Sequence, residues 1–392
     1  MIDLLPKDEF DVLVHKHESD RYYKRFTAWT QLVTMLFGAY SRCDSMGEVC
    51  AGMLALEGKL NYFGMDSSPA KSTAGDGLRE RGNELFRDYY FALIKYFASD
   101  FSVSRSEKIS FDKFYAFDST TIGLFSDVLK GVGRNPKGDG KKKGGLKVHM
   151  LTDVHSETAQ FAVISEARQH DRKFLNQLSL SAGSMCVFDK AYNDYKWFAQ
   201  QREKGVSFVC RLKDNAVYDV QQVVSDRILE KDPFGVLKEE HIHVKYKDGK
   251  EEKTLCLRRI VYKDEQRRIY QFITNNIEIS AEEVAFLYKK RWTIELLFKR
   301  LKGNFQLKYF YSETENGIRT QVWCTLIACL LLMVLKARSE TKKAFSTVAT
   351  LVRIHLVSHL SLFWVIENTL RTYIKKIKCR NKSPGIQLSL TF

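Results

Sequence analysis

Apolar residues recur at helical spacing through the first hundred positions, alternate every second residue from about 110 to 275, and return to helical spacing from about 281. This change of period predicts a helical N-terminal part, a strand-rich middle and a helical C-terminal part. In the first part, residues 21–37 (RYYKRFTAWTQLVTMLF) and 45–56 predict two helices, followed by a turn-rich passage, EGKLNYFGMDSSP. The run PAKSTAGDGLRERGNELFRDYYFALIKYF then predicts a further helical region, with Ser72 or Thr73 as its N-cap.

In the middle part, residues 113–117, 146–155 and 158–166 predict three strands; helix 171–180, strand 185–188, helix 192–204 and strand 206–212 follow. Three strands and then strand–helix alternation form a ribonuclease-H-like α/β succession, in which the first and fourth strands are neighbours. Asp118 and Asp189 each close an apolar strand, so the succession expects both at one sheet edge. Between about 214 and 275, a hairpin around Asp248-Gly249 and a strand over 268–274 read as a β-rich insertion.

Residues 281–306 (AEEVAFLYKKRWTIELLFKRLKGNFQ) predict one continuous amphipathic helix. On it Tyr288, Arg291, Glu295 and Lys302 fall within an arc of roughly 60°. Leu287, Ile294, Leu297 and Leu301 project from the neighbouring arc as a packing face. Taken alone, the stripe also fits a solvated surface with an Arg291–Glu295 ion pair at i,i+4. Residues 317–336 and 344–373 predict two more helices, and IKKIKCRNKSP a basic tail. The expected division is a helical N-terminal domain over 1–105, an α/β domain over 106–310 with its insertion at about 214–275, and a helical region over 311–392.

Composition narrows the class. A hydrophobic content of 44% excludes a disordered chain, and 62 basic against 47 acidic residues leave a net charge of +15, which points to a polyanionic partner. The eight cysteines are scattered without a CxxC pair, which argues against structural zinc and suits a reducing cytoplasm. The opening MIDLLPKDEFDVLV lacks the basic n-region of a signal peptide, and the apolar run 322–335 is short for a bilayer, so no membrane association is expected. Near the N-terminus, helix, turn and a basic helix bearing Lys71, Arg79 and Arg81 fit a helix-turn-helix reader of DNA as well as a plain packing domain. The stretch 130–147, KGVGRNPKGDGKKKGGLK, fits a solvated loop or a phosphate clamp.

Asp118, Asp189 and Glu295 together would make an oxygen-rich, self-repulsive site. Mg²⁺ or Mn²⁺ suits such donors. Two ions about 3.5–4 Å apart could activate a water or 3′-hydroxyl and stabilise the leaving oxygen of a phosphodiester.

FDSTTIGLF around Asp118, CVFDKAYNDY around Asp189, and the spacing Tyr288-x2-Arg291-x3-Glu295-x6-Lys302 resemble the bacterial DDE transposases of insertion-sequence family four. The last spacing reproduces that family's YREK signature. FTAWTQLVTMLFG and PAKST also resemble the helical domain of one branch. The resemblance implies a ribonuclease-H-like fold and cut-and-paste transposition by Mg²⁺-dependent strand cleavage and transfer. It implies Asp118, Asp189 and Glu295 as the metal-binding triad, and Tyr288, Arg291 and Lys302 as phosphate contacts. A homodimer pairing two double-stranded DNA ends, in the bacterial cytoplasm at the nucleoid, is also implied. The second motif departs from the usual Asp-Arg-Gly-Tyr: Lys190 keeps the charge but loses the planar fork, so its DNA contact differs. Trp292 and Trp323 are candidates for stacking a flipped base, with core packing the simpler expectation. A non-enzymatic DNA-binding relative and a metal-dependent nuclease without strand transfer are the competing readings.

Overall fold

A computed structural model describes residues 1–104, 109–123 and 145–356, apart from 168, 229, 231–233, 306 and 308. Most of the basic stretch 130–147, the part of the expected last helix beyond 356 and the basic tail lie outside the described residues.

Five helices open the chain: α1 (Lys7–Lys16), α2 (Ala28–Ser41), α3 (Met46–Leu54), α4 (Lys71–Glu80) and α5 (Glu84–Tyr96). The helix expected from residue 21 starts only at Ala28, because Thr27 caps it by accepting the Thr30 N–H and Asp20 accepts the Ala28 N–H. Ser45 caps α3 as its sequence suggests. At α4 the expectation fails: the helix begins at Lys71 after Ala70, so Ser72 and Thr73 lie inside its first turn and cap nothing. Gly77 is required there, since a Cβ would come 2.6 Å from the Phe26 ring.

The strands are β1 (Phe114–Gly123), β2 (Gly145–Asp153), β3 (Ala159–Glu166), β4 (Met185–Phe188), β5 (Ser207–Arg211), β6 (Asp219–Asp226), β7 (Gly235–Asp248), β8 (Glu251–Lys263) and β9 (Ile269–Thr274). They form one sheet in the order β3-β2-β1-β4-β5-β9-β8-β7-β6. The first three strands are antiparallel, β4 and β5 run parallel to β1, and the rest are antiparallel. The insertion is thus no separate body: β9 pairs with β5 and continues the same sheet. The unpredicted β6 is almost wholly exposed, so no burial alternation marks it in the sequence. Residues 171–180 form a 3-10 turn, Asp171–Gln177, rather than an α-helix. The helix expected from 192 is α6 (Tyr195–Glu203), capped by Asp194.

Alternation along β1 and β4 divides the core. Phe114, Ala116, Met185 and Val187 face one hydrophobic cluster, and Phe117, Cys186 and Phe188 face the other. The first cluster is shared with α1–α5, with α7 (Ala281–Lys289) and α8 (Trp292–Asn304), and with α9 (Glu315–Arg338) and α10 (Phe345–His355). The N-terminal helices therefore pack on the same core as α9. By length and composition α9 is the one described helix apolar enough to cross a membrane, yet 94% of its most apolar window is buried inside the protein. That helix is longer than the apolar run 322–335 suggested. The described cysteines are all free thiols.

Candidate active site

Asp118 follows Ala116 on one face of β1, and Asp189 follows Val187 on the same face at the end of β4. Because β1 and β4 are parallel with Phe117 opposite Phe188, the next residue of each strand, the aspartate, emerges side by side with the other. The two aspartates are neighbours as expected, but only Asp189 closes its strand: β1 continues past Asp118 to Gly123, paired with β2, because residues 119–123 extend the ladder beyond the acid.

The helix that carries the third carboxylate is not continuous. α7 ends at Lys289 and α8 starts at Trp292. Through the junction the Arg291, Thr293 and Ile294 N–H groups bond to carbonyls three residues back, the tighter 3-10 pattern. Tyr288 sits in the last turn of α7, Arg291 at the junction and Glu295 in the first turn of α8. Tyr288 leans on Phe272 of β9, with ring centroids 4.6 Å apart.

Arg291 is the hub. It donates to Asp118 Oδ2 at 2.7 Å and to Glu295 Oε1 at 2.5 Å, and its guanidinium lies 5.6 Å from the Tyr288 ring centroid. Tyr288 donates to Asp189 Oδ1 at 3.4 Å, a long bond. Asp118 Oδ1 also accepts the Ser119 N–H at 2.8 Å. Burial pushes the Asp118 carboxyl up to about 6; Arg291 and the Ser119 N–H oppose this, while Asp189 and Glu295 reinforce it. The two other carboxylates are therefore close enough to repel Asp118. Burial alone would lower the Arg291 pKa, but Tyr288, Asp118 and Glu295 outweigh it and hold it protonated.

Among the described residues no group of three or more His, Cys, Asp or Glu side chains forms a ready cage for a metal ion. The arginine lies between Asp118 and Glu295 and offsets their charge. The donor set nonetheless fits a divalent cation in kind: hard oxygens, one of them on a buried, repelled carboxylate. The guanidinium is not fully locked either, because its buried Nε has no hydrogen-bond partner.

The remaining expected contacts divide sharply. Lys302 is exposed on α8 beside Thr120 and Ile122, and partial desolvation lowers its pKa. Lys190 pairs with Asp214 at 2.9 Å on the surface. Lys71 is exposed; Arg79 is exposed but paired with Asp76 and Glu80. Arg81 is a correction: its side chain is 0% exposed, donating to Asp20 and to the Ser19 and Phe26 carbonyls, bonding Gln31, and stacking on Tyr23. A guanidinium so enclosed cannot reach DNA. Trp323 is buried against Tyr90 and Phe91, as core packing requires, whereas Trp292 is 58% exposed.

On the opposite face of β1 lies a polar layer whose role the sequence did not reveal. Asp171 accepts from Ser119 Oγ at 2.9 Å and pairs with Lys147 at 3.0 Å. Tyr192 is fully buried; burial raises its pKa, with Asp171, Asp118 and Asp189 adding and Ser119 opposing. Asp171 is visible in the sequence only as an acid after the third strand.

Residues 109–331 match the family described as Transposase DDE domain, and residues 1–66 match a domain of unknown function. A Sinorhizobium fredii protein named for a transposase is 29% identical over 198 residues, 50% of this chain and 55% of the relative. A Geobacillus stearothermophilus protein named for an insertion-sequence transposase is 25% identical over 225 residues, 57% of this chain and 58% of the relative. A third, from a Synechocystis species and named likewise, is 24% identical over 279 residues, 69% of this chain and 72% of the relative. The chain thus spans little more than half the length of the first two relatives.

Proposed function

Since the chain belongs to the family of bacterial insertion-sequence transposases with a DDE domain, we propose that it binds the terminal inverted repeats of an insertion sequence and catalyses Mg²⁺-dependent strand cleavage and strand transfer. The observation that carries this reading is the convergence of Asp118, Asp189 and Glu295, from the middle of β1, the end of β4 and a helix, around Tyr288 and Arg291. A ribonuclease-H-like core is supported by the order β3-β2-β1-β4-β5 with its antiparallel-then-parallel pattern. Three domains over 1–105, 106–310 and 311–392 remain the proposed division, all three contributing to one core.

Asp118, Asp189 and Glu295 would hold two Mg²⁺ or Mn²⁺ ions. When bound, such ions supply a deprotonated nucleophile and stabilise charge on the leaving oxygen. The rest falls to the chain itself. Arg291 exchanges its hold on Asp118 and Glu295 for a phosphate of the DNA end, where its planar fork can bind two oxygens. Tyr288 orients Asp189 through its hydroxyl. Lys302 and Lys190 contribute charge along the phosphate track, and Lys71 with Arg79 contributes it on the N-terminal helices. Trp292, exposed at the start of α8, would stack on an unpaired base. The acting form is a homodimer that pairs two ends, at the nucleoid.

The test is a product assay. The purified chain is incubated with linear duplex carrying its element's ends and a target plasmid in Mg²⁺. Joined ends support a transposase. Cleaved but unjoined ends identify a nuclease, and salt-sensitive binding without cleavage identifies a non-enzymatic relative.

A further inference from the structure

We propose that Asp171 is a positioning residue for the ligand carboxylate of Asp118, acting through Ser119 from the opposite face of the sheet. The inference rests on the metal-site reading above. Neighbouring residues of a strand point to opposite faces, so Asp118 meets α8 while Ser119 meets the turn that begins at Asp171. Ser119 links the two faces: its N–H donates to Asp118 Oδ1 at 2.8 Å and its hydroxyl donates to Asp171 Oδ1 at 2.9 Å.

Asp171 is itself held in place. Lys147 lies 3.0 Å from the same oxygen; His149, opposite Ser119 in the β1–β2 register, packs beside it with Nδ1 3.7 Å away and not hydrogen-bonded. His149 is fully buried, bonds Ser165 Oγ through Nε2 at 2.9 Å and stacks on Phe174 with centroids 3.9 Å apart. Phe174 belongs to the turn that Asp171 opens, so this stacking also fixes the turn on the sheet. β1 is clamped from behind at Ser119, which fixes Asp118 Oδ1 and leaves Oδ2, held by Arg291, facing the other carboxylates. Outer partners of ligating carboxylates commonly set metal affinity in this way.

The test measures Mn²⁺ alone, by the electron paramagnetic resonance of the free ion, on the full chain, with thermal melting alongside. Asp171→Asn is expected to weaken Mn²⁺ binding about 10- to 100-fold. Ser119→Ala, which changes no charge, is expected to weaken it similarly, the double variant no more than either single one, and Ser119→Thr to restore it. Mn²⁺ affinity within about twofold of the parent in Ser119→Ala, or additive losses in the double variant, would overturn the proposal, whatever the melting temperatures. If Asp189→Ala abolishes binding while Ser119→Ala and Asp171→Asn retain it, only this inference fails. If the parent chain binds no Mn²⁺, the metal-site reading fails and this inference with it.

Discussion

Arg291 Nη1 lies 2.7 Å from Asp118 Oδ2, joining the helix junction to the middle of β1, 173 residues earlier in the chain. The same guanidinium holds Glu295, so a single fixed cation offsets two of the three converging carboxylates. Removing it leaves both acids close together and partly buried. Arg291→Gln is expected to destabilise the metal-free protein by roughly 1–3 kcal/mol. Because the arginine competes with any cation for those oxygens, the variant should bind Mn²⁺ at least as tightly as the parent while cleaving DNA more slowly. Calorimetric titration with Mn²⁺ checks this, and weaker Mn²⁺ binding would contradict it.

The raised Asp118 carboxyl gives a pH signature. Its folded value of about 6 exceeds its ordinary 3.8, so the folded state binds the proton more tightly. Its contribution to stability is therefore fully present below about pH 4 and is lost as the pH rises through 6, by up to about 3 kcal/mol. Asp118→Asn should abolish that decline; urea midpoints of parent and variant between pH 4 and 7 measure the difference. Divalent cations need the ionised form, so their binding should weaken below about pH 6.

Two N-terminal cations should behave oppositely. Arg81→Ala removes a buried guanidinium and leaves Gln31 Oε1 and the Ser19 and Phe26 carbonyls without their donor, costing about 3 kcal/mol or more of stability. Lys71→Ala, on an exposed first turn, should leave the melting temperature unchanged but lower DNA affinity and reduce the salt slope by about 1. Fluorescence anisotropy over a range of salt concentrations reads the second effect.

The two tryptophans divide in the same way. Trp323→Ala opens the core between α5 and α9 and should cost about 3–5 kcal/mol. Trp292→Ala should alter stability by less than about 0.5 kcal/mol. If Trp292 stacks on an unpaired base, its loss should change 2-aminopurine fluorescence at the DNA end. Thermal melts and fluorescence of labelled ends separate the two.

The two aspartates were legible because the apolar runs of β1 and β4 stop abruptly at an acid, and parallel pairing does the rest; that β1 continues to Gly123 was not, since residues 119–121 are polar. The YREK spacing was legible as one helical stripe, although the chain tightens at Lys290 and Arg291 and splits the helix. A helical period survives such a junction, since a 3-10 step adds only about 20° of rotation per residue. Arg81 was misread because a basic residue at a helix end looks alike whether it faces water or a nest of carbonyls. Asp171 escaped because its meaning lies in a contact with Ser119 across 52 residues, which no local pattern encodes. β6 escaped because an exposed edge strand carries no burial alternation.

The most direct measurement is single-turnover cleavage of a labelled duplex carrying the element's own end, with Mg²⁺, by the parent chain and by Asp189→Asn and Glu295→Gln. Loss of cleavage on the order of 10³-fold or more in both variants, with folding and DNA binding retained, is the expected result. Cleavage that persists unchanged in either variant, or in the parent after the metal is chelated, would contradict a single metal-dependent site built from Asp118, Asp189 and Glu295.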